Sequence, residues 1–194
     1  MSRSTRIPVM YALALFLVGL TATVAVAEKD YIKGGWFKAG SDANGYSIGT
    51  EKSGEGSVAY IKSDKPAKGM FGTLMQSFAP GEYKGDRIRL SARIRTNSVK
   101  KWAGMWMRVD ADGKAVSFDN MMDRPLKGTT DWTNYSIVLD VPHEADQMSI
   151  GLLLNGAGEA YWDDLKIETV GLDVPVTGSM SPSKSGPSNL DFEE

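Results

Sequence analysis

KWAGMWMRVDADGKAVSFDNMMDRPLKGTTDW, residues 101–132, is the stretch whose reading decides the fold. It carries three of the five tryptophans, four of the ten methionines and several paired charges. Its first part alternates. Ala103, Met105, Met107 and Val109 share one face, and Trp102, Gly104, Trp106 and Arg108 share the other, because successive side chains of a strand point to opposite sides. Ala111-Asp112-Gly113 then turns the chain into a second strand over 114–119, since Asp and Gly accept the positive φ that a tight hairpin needs. The unit is strand, turn, strand and loop.

Just upstream, 87–96 alternates even more strictly. Ile88, Leu90, Ala92 and Ile94 form one face, and Arg87, Arg89, Ser91, Arg93 and Arg95 the other. A one-residue slip would bury the guanidinium groups, so this register is strongly set. If the 102–109 strand lies beside it, Trp106 and Arg108 share an outer face with Arg89, Arg93 or Arg95. Two readings of that face stand. In one, a loop over 118–130 covers Trp106 and the arginines are a solvated stripe, as tryptophans are usually buried for their large apolar area. In the other, Trp106 is a flat platform for a ligand. Arg108, Asp119, Asn120 and Arg124 then supply the fixed polar contacts that binding sites combine with apolar surface.

From Trp36 onward the texture is all-β: short runs rich in β-formers, separated by Gly, Asp, Asn, Pro and Lys clusters. Strands are expected over 36–39, 46–50, 57–63, 70–78, 87–96, 102–109, 114–119, 133–141, 148–155 and 159–169. Asn155-Gly156-Ala157-Gly158 is expected to join the last two as a tight hairpin. No segment between them has the length or period of an amphipathic helix.

A length of 194 residues is one domain's worth, and 42% hydrophobic with 24% charged residues is ordinary for a globular chain. The chain opens with an address. Arg3 and Arg6 precede an apolar run from Val9 to Ala27 that ends in Ala25-Val26-Ala27, an A-x-A cleavage signal before Glu28-Lys29-Asp30. The run is about long enough to span a bilayer as a retained anchor, but the small residues at its end favour a signal peptide over 1–27, cleaved after Ala27. The expected product is a soluble protein in the periplasm or outside the cell, with no membrane contact after cleavage. Without Arg3 and Arg6 the balance is 20 basic to 24 acidic side chains. That mild acidity argues against nucleic acid as a partner, because phosphate binding leans on clustered positive charge.

Zero cysteines exclude disulfides, thiolate metal sites and a Cys nucleophile. A single histidine, His143 after Pro142, argues against a His-dependent triad or a multi-His zinc site. Asp110-Ala111-Asp112-Gly113 has the beginning of a calcium loop, but Met121 stands where the twelfth-position Glu belongs, so it reads as a turn. Asp163-Asp164, two acids inside an otherwise apolar strand, suit a hard cation better.

Tyr161-Trp162-Asp163-Asp164-Leu165-Lys166-Ile167 resembles the closing strand of the galactose-binding-like jelly rolls, which include many carbohydrate-binding modules. More closely, residues 34–194 resemble an uncharacterised bacterial module found alone behind a leader or attached to transcriptional regulators and exported hydrolases. The pieces that carry this are Phe71-Gly72-Thr73-Leu74-Met75-Gln76, the run from Trp102 to Asp110, Phe118-Asp119-Asn120-Met121, Asp123-Arg124-Pro125, the run from Gly128 to Trp132, and Asn189-Leu190-Asp191-Phe192-Glu193. The jelly-roll relatives imply sugar binding and often a structural calcium, for which Asp163, Asp164 and Glu193 are the candidates. The closer module brings no ligand with it. The N-L-x-F-E strand that commonly begins the jelly rolls stands at the end of this chain.

The expected organisation is therefore a signal peptide over 1–27, an all-β two-sheet jelly-roll sandwich over 28–170, a Pro/Ser/Gly-rich linker over 171–188, and a terminal strand over 189–194 returning to the sandwich. The expected function is a non-catalytic, exported binding module for a saccharide or cell-envelope glycan, with Trp106, Arg108, Asp119, Asn120 and Arg124 as its ligand face. The alternative is a periplasmic protein-interaction or structural module using the same face. A hydrolase built on Asp119 and Asp123 comes third, because nothing in their spacing sets a glycosidase separation.

Overall fold

The computed structural model describes residues 31–178. The expected signal peptide over 1–27 and the expected terminal strand over 189–194 lie outside the described residues. Within them the chain is nearly all strand, with two single-turn 3-10 segments at Ala43–Gly45 and Gly81–Tyr83. Among the described residues no helix is long and apolar enough to cross a membrane.

The strands are β1 (Tyr31–Ile32), β2 (Trp36–Ala39), β3 (Tyr46–Ser53), β4 (Gly56–Ser63), β5 (Phe71–Phe78), β6 (Arg87–Ala111), β7 (Lys114–Asp119), β8 (Leu126–Asp140), β9 (Gln147–Asn155) and β10 (Glu159–Val170). The two strands expected at 87–96 and 102–109 are one continuous strand of 25 residues. Its first half lies between β10 and β8, with Arg93 opposite Asp163 and Asn134. Its second half lies between β9 and β7, with Trp106 opposite Gly151 and Arg108 opposite Phe118. Thus β6 belongs to both layers of a sandwich. One layer runs β3-β4-β10-β6-β8, and the other β1-β2-β5-β9-β6-β7. We call them the first and second sheet.

The crossing is visible in the side-chain parity. Ile88, Leu90, Ala92, Ile94 and Thr96 are buried in the first sheet, and Val99, Ala103, Met105, Met107 and Val109 in the second. The switch from even to odd positions is made by irregular pairing between Ile94 and Ala103, with Ser98 in the left-handed region at φ 54°. An extra unpaired residue bends a strand and re-aims the side chains beyond it. This corrects the expectation that Trp106 and Arg108 share a face with Arg89, Arg93 and Arg95: they lie on different sheets.

The connection at Asn155-Gly156-Ala157-Gly158 is likewise a crossover between sheets and not a tight hairpin, since β9 and β10 flank opposite halves of β6. Its glycines are required for close approach. At Gly158 (φ 134°) an added Cβ would lie 2.6 Å from the Val99 Cα, and at Gly156 (φ 75°) 2.8 Å from the Lys101 Cγ. The 111–113 turn is the expected hairpin, with Asp112 and Gly113 at φ 50° and 70°.

The core between the layers holds Ile61, Leu74, Ile88, Leu90, Met105, Met107, Ile137, Leu139, Leu152, Leu154 and Trp162, all essentially inaccessible. Trp36 on β2 meets Trp162 on β10 edge to face at 5.1 Å, joining the sheets at one end. Burying this much apolar side chain, at ~1.5–3 kcal/mol for each large residue, is what holds the layers together. Residues 171–178 run back over β8: Thr177 donates its N–H to the Val138 carbonyl, and its Oγ1 accepts from the Val138 N–H. The first part of the Pro/Ser/Gly-rich segment is therefore laid on the sandwich.

Candidate functional site

On the outer face of the second sheet, β5, β9, β6 and β7 form the floor of a cavity of about 460 Å³. Trp106 lies across it. From β6 its indole passes over Gly151 on β9, where a Cβ would come within 2.5 Å of Nε1, and Nε1 donates to Thr73 Oγ1 on β5 at 2.8 Å. Thr73 is in turn held by the Leu152 carbonyl at 3.1 Å. The absence of a side chain at Gly151 makes room for the ring, and the hydrogen bond satisfies the indole N–H, as a half-buried Trp requires. The ring is thereby held over the sheet and lines the cavity.

Phe71, Met75, Phe118 and Leu153 supply further apolar lining, and Arg108, Asp110, Asn120 and Gln147 the polar groups. Arg108 binds Asp110 Oδ1 through Nε at 2.8 Å and Nη2 at 2.5 Å. Ser77 and Ser149 hydroxyls share a bond at 2.8 Å.

Of the five residues expected to make the ligand face, Trp106, Arg108 and Asn120 are brought together here. Asp119 and Arg124 are not. Asp119 alternates with Phe118 and Asn120, so it points to the other side of β7, where only 5% of it is exposed. Its Oδ1 accepts from the Met121 N–H (2.8 Å) and Arg124 Nη1, and its Oδ2 from Arg124 Nη2 (2.6 Å) and Thr177 Oγ1. Burial works against the Arg124 charge, but the hydrogen bond and the charge of Asp119, helped by Asp123, raise its pKa above the usual value. This cluster fastens the turn after β7 and the 171–178 segment. Asp123 sits on the same guanidinium, at 2.8 Å. The turn itself closes over Gly104, where a Cβ would meet the Asn120 carbonyl at 3.0 Å, and leaves Trp106 lining the cavity.

The arginines of the first sheet are partly exposed and each is ion-paired. Arg87 forks onto Asp140 at 2.7 and 3.0 Å, Arg89 meets Glu168, and Arg93 holds Asp164 at 2.6 Å and Asp163 at 3.4 Å. Arg95 binds Glu51 and stacks on Tyr161 with its guanidinium carbon 3.6 Å from the ring centroid. That Arg93 engagement bears on calcium. Asp164 stands at φ 53° in the irregularity between Asp163 and Lys166, and both carboxylates face one guanidinium. A cation would have to displace it. Among the described residues no group of three His, Asp or Glu side chains is placed to hold a metal, and Glu193 lies outside them.

Sequence reading missed Thr73, Gly151 and Asp110. The signal for Gly151 was present, as a glycine within the apolar run Ser149-Ile150-Gly151-Leu152-Leu153-Leu154, where a side chain is left out to admit a neighbour.

No family model matches the chain. Over 167 residues it is 40% identical to the uncharacterized HTH-type transcriptional regulator YbfP of Bacillus subtilis (strain 168), covering 82% of this chain and 57% of the regulator. This chain thus spans little more than half the length of that relative. Among solved structures, the enzymatically active domain of bacteriophage CBA120 tailspike protein 4 superposes with a TM-score of 0.51 at 15% identity, over 73% of this chain and 21% of that one. A CBM4 structure (TM-score 0.48, 17% identity, 70% of this chain and 86% of that one) and TmCBM61 in complex with β-1,4-galactotriose (0.46, 13%, 74% and 100%) are more distant. At these identities the likeness is one of fold: the chain is a β-sandwich similar to the tailspike domain over most of its described length.

Proposed function

We propose that the chain is an exported, non-catalytic binding module whose ligand is a saccharide or cell-envelope glycan, seated over Trp106. The observation that carries this is the indole held across Gly151 by Thr73 and lining a cavity edged by Arg108, Asp110, Asn120 and Gln147. A sugar ring offers an apolar C–H face and a girdle of hydroxyls. A fixed aromatic plane with donors and acceptors around it complements both. The described residues contain no α-helix, so what is shared with YbfP is sought in the sandwich and not in a helix-turn-helix. A binding module suits attachment to a regulator as well as it suits a leader.

The test is retardation of the chain, as exported, in native gels containing soluble polysaccharides, with calcium and with chelator, alongside a glycan array. Retardation that Trp106→Ala abolishes supports the reading. Failure of every glycan, with co-purification of one stoichiometric protein, would replace it with a protein-interaction module. Intact-mass measurement of exported material checks the leader: the expected chain begins at Glu28, and a chain retaining Met1 contradicts it.

A further inference from the structure

Arg108 and Asp110 are two residues apart on β6 and line the cavity beside Trp106. Arg108 directs both Nε and Nη2 to a single oxygen, Asp110 Oδ1. Asp110 Oδ2 and Arg108 Nη1 have no hydrogen-bond partner among the described residues. The carboxylate side chain is only 10% exposed while the guanidinium is 43% exposed, so an acceptor sits in the wall and a donor at its rim. A carboxylate oxygen and a guanidinium N–H without protein partners can exchange water for ligand hydroxyls. Among the described residues these are also the only charged side chains lining the cavity, and their charges cancel.

Resting on the saccharide reading above, we infer that Arg108 and Asp110 are specificity-determining residues that read a vicinal diol on a neutral sugar. One hydroxyl donates to Oδ2, and its neighbour accepts from Nη1. Holding the guanidinium through Nε and Nη2 fixes Nη1 at the rim and Oδ2 in the wall before a ligand arrives, so little ordering cost remains. A uronate is disfavoured at the same place. Its carboxylate would face Oδ2 with no donor to offer, against a guanidinium whose charge Asp110 already balances.

The experiment is affinity electrophoresis of the full exported chain and of Asp110→Asn in galactomannan and xyloglucan, which are neutral, and in polygalacturonate and alginate, which are uronates. The wild type is expected to prefer the neutral polymers by at least about tenfold, the size of one hydrogen bond to a charged group. Asp110→Asn, which keeps an acceptor for Arg108 but turns Oδ2 into a donor, is expected to weaken neutral binding and bring the ratio towards one. Should that variant fail to fold, Arg108→Lys, which keeps the charge but lacks the fork, is expected to give the same loss. Uronates bound as tightly as neutral polymers by the wild type, or a ratio unchanged in the folded variant, overturns this inference while leaving the binding site in place. Retention in none of the four polymers overturns this inference, and the glycan array then decides the saccharide reading separately.

Discussion

The two outer faces of the sandwich are built on the two halves of one strand, and they differ in how their polar groups are used. On the first sheet each arginine of β6 already has a partner: Asp140, Glu168, the Asp163-Asp164 pair and Glu51. Lys62, Tyr60, Tyr161, Arg95 and Trp132 stack into a continuous layer of cations on rings. On that face the charges are paired within the sheet, so its arginines are engaged with neighbouring carboxylates and rings. On the second sheet the strand carries Trp106, Arg108 and Asp110 instead, and β9 withholds a side chain at Gly151. An apolar plane and unpaired polar atoms remain. The lesson is that exposed aromatic and charged residues do not by themselves mark a site. What marks it is the capacity left over after neighbours have been satisfied.

The largest separation between the faces comes from Trp106→Ala. Glycan binding should fall by about 100-fold or more, as for a central aromatic anchor. The unfolding free energy should fall by only about 1–2 kcal/mol, because this ring is half-buried and truncation of a fully buried Trp costs ~3–5 kcal/mol. Urea unfolding alongside the affinity gel measures both. Gly151→Val comes next. Its Cβ must displace the indole and presses on the Leu74 carbonyl at 2.8 Å, so binding should drop about tenfold with a loss of ~1–3 kcal/mol in stability.

On the opposite face the pattern reverses. Arg95→Ala removes the stack on Tyr161 and the bond to Glu51, and should cost about 1 kcal/mol with unaltered glycan affinity. A change in affinity would mean that the first sheet takes part in binding.

The smallest effect concerns acid. The Tyr161 hydroxyl donates to Glu159 at 2.6 Å and, against some burial and with help from Asn97, Lys62 and Arg95, holds its carboxyl below the usual range. A depressed carboxylate stabilises the fold fully above its unfolded pKa of about 4.3, and that contribution is lost as pH falls through the lower folded value. Glu159→Gln should therefore melt below the wild type at neutral pH, and the gap should close as pH falls through and below the usual carboxylate range. A gap constant with pH would show that Glu159 acts through packing alone.

Much of this architecture was legible in the alternation of 87–109. The shift of apolar residues from Ile88, Leu90, Ala92 and Ile94 to Ala103, Met105, Met107 and Val109 is the imprint of the crossing. What could not be read was that the two runs are one strand. Nothing in Asn97-Ser98-Val99-Lys100-Lys101 says whether pairing continues through an irregularity or stops at a loop, because partners distant in sequence decide that. The same limit split the site. Trp106 and Arg108 follow from parity, and Asn120 was named beside them as a polar contact. Asp119 was misplaced because one residue along a strand is the other side of a sheet, and its partner Thr177 is 58 positions away. Thr73 and Gly151 come from neighbouring strands whose order alternation does not encode.

On the proposed reading, ligand occupies the second sheet's outer face and leaves the first untouched. Hydrogen exchange of the full chain, free and saturated with a neutral glycan that retards it, tests this directly. Amides in residues 71–78, 102–120 and 147–153 should exchange more slowly with glycan, while those in 87–96 and 159–170 keep their free rates. Protection confined to 87–96 and 159–170, or absent from the strands around Trp106, would place the ligand elsewhere.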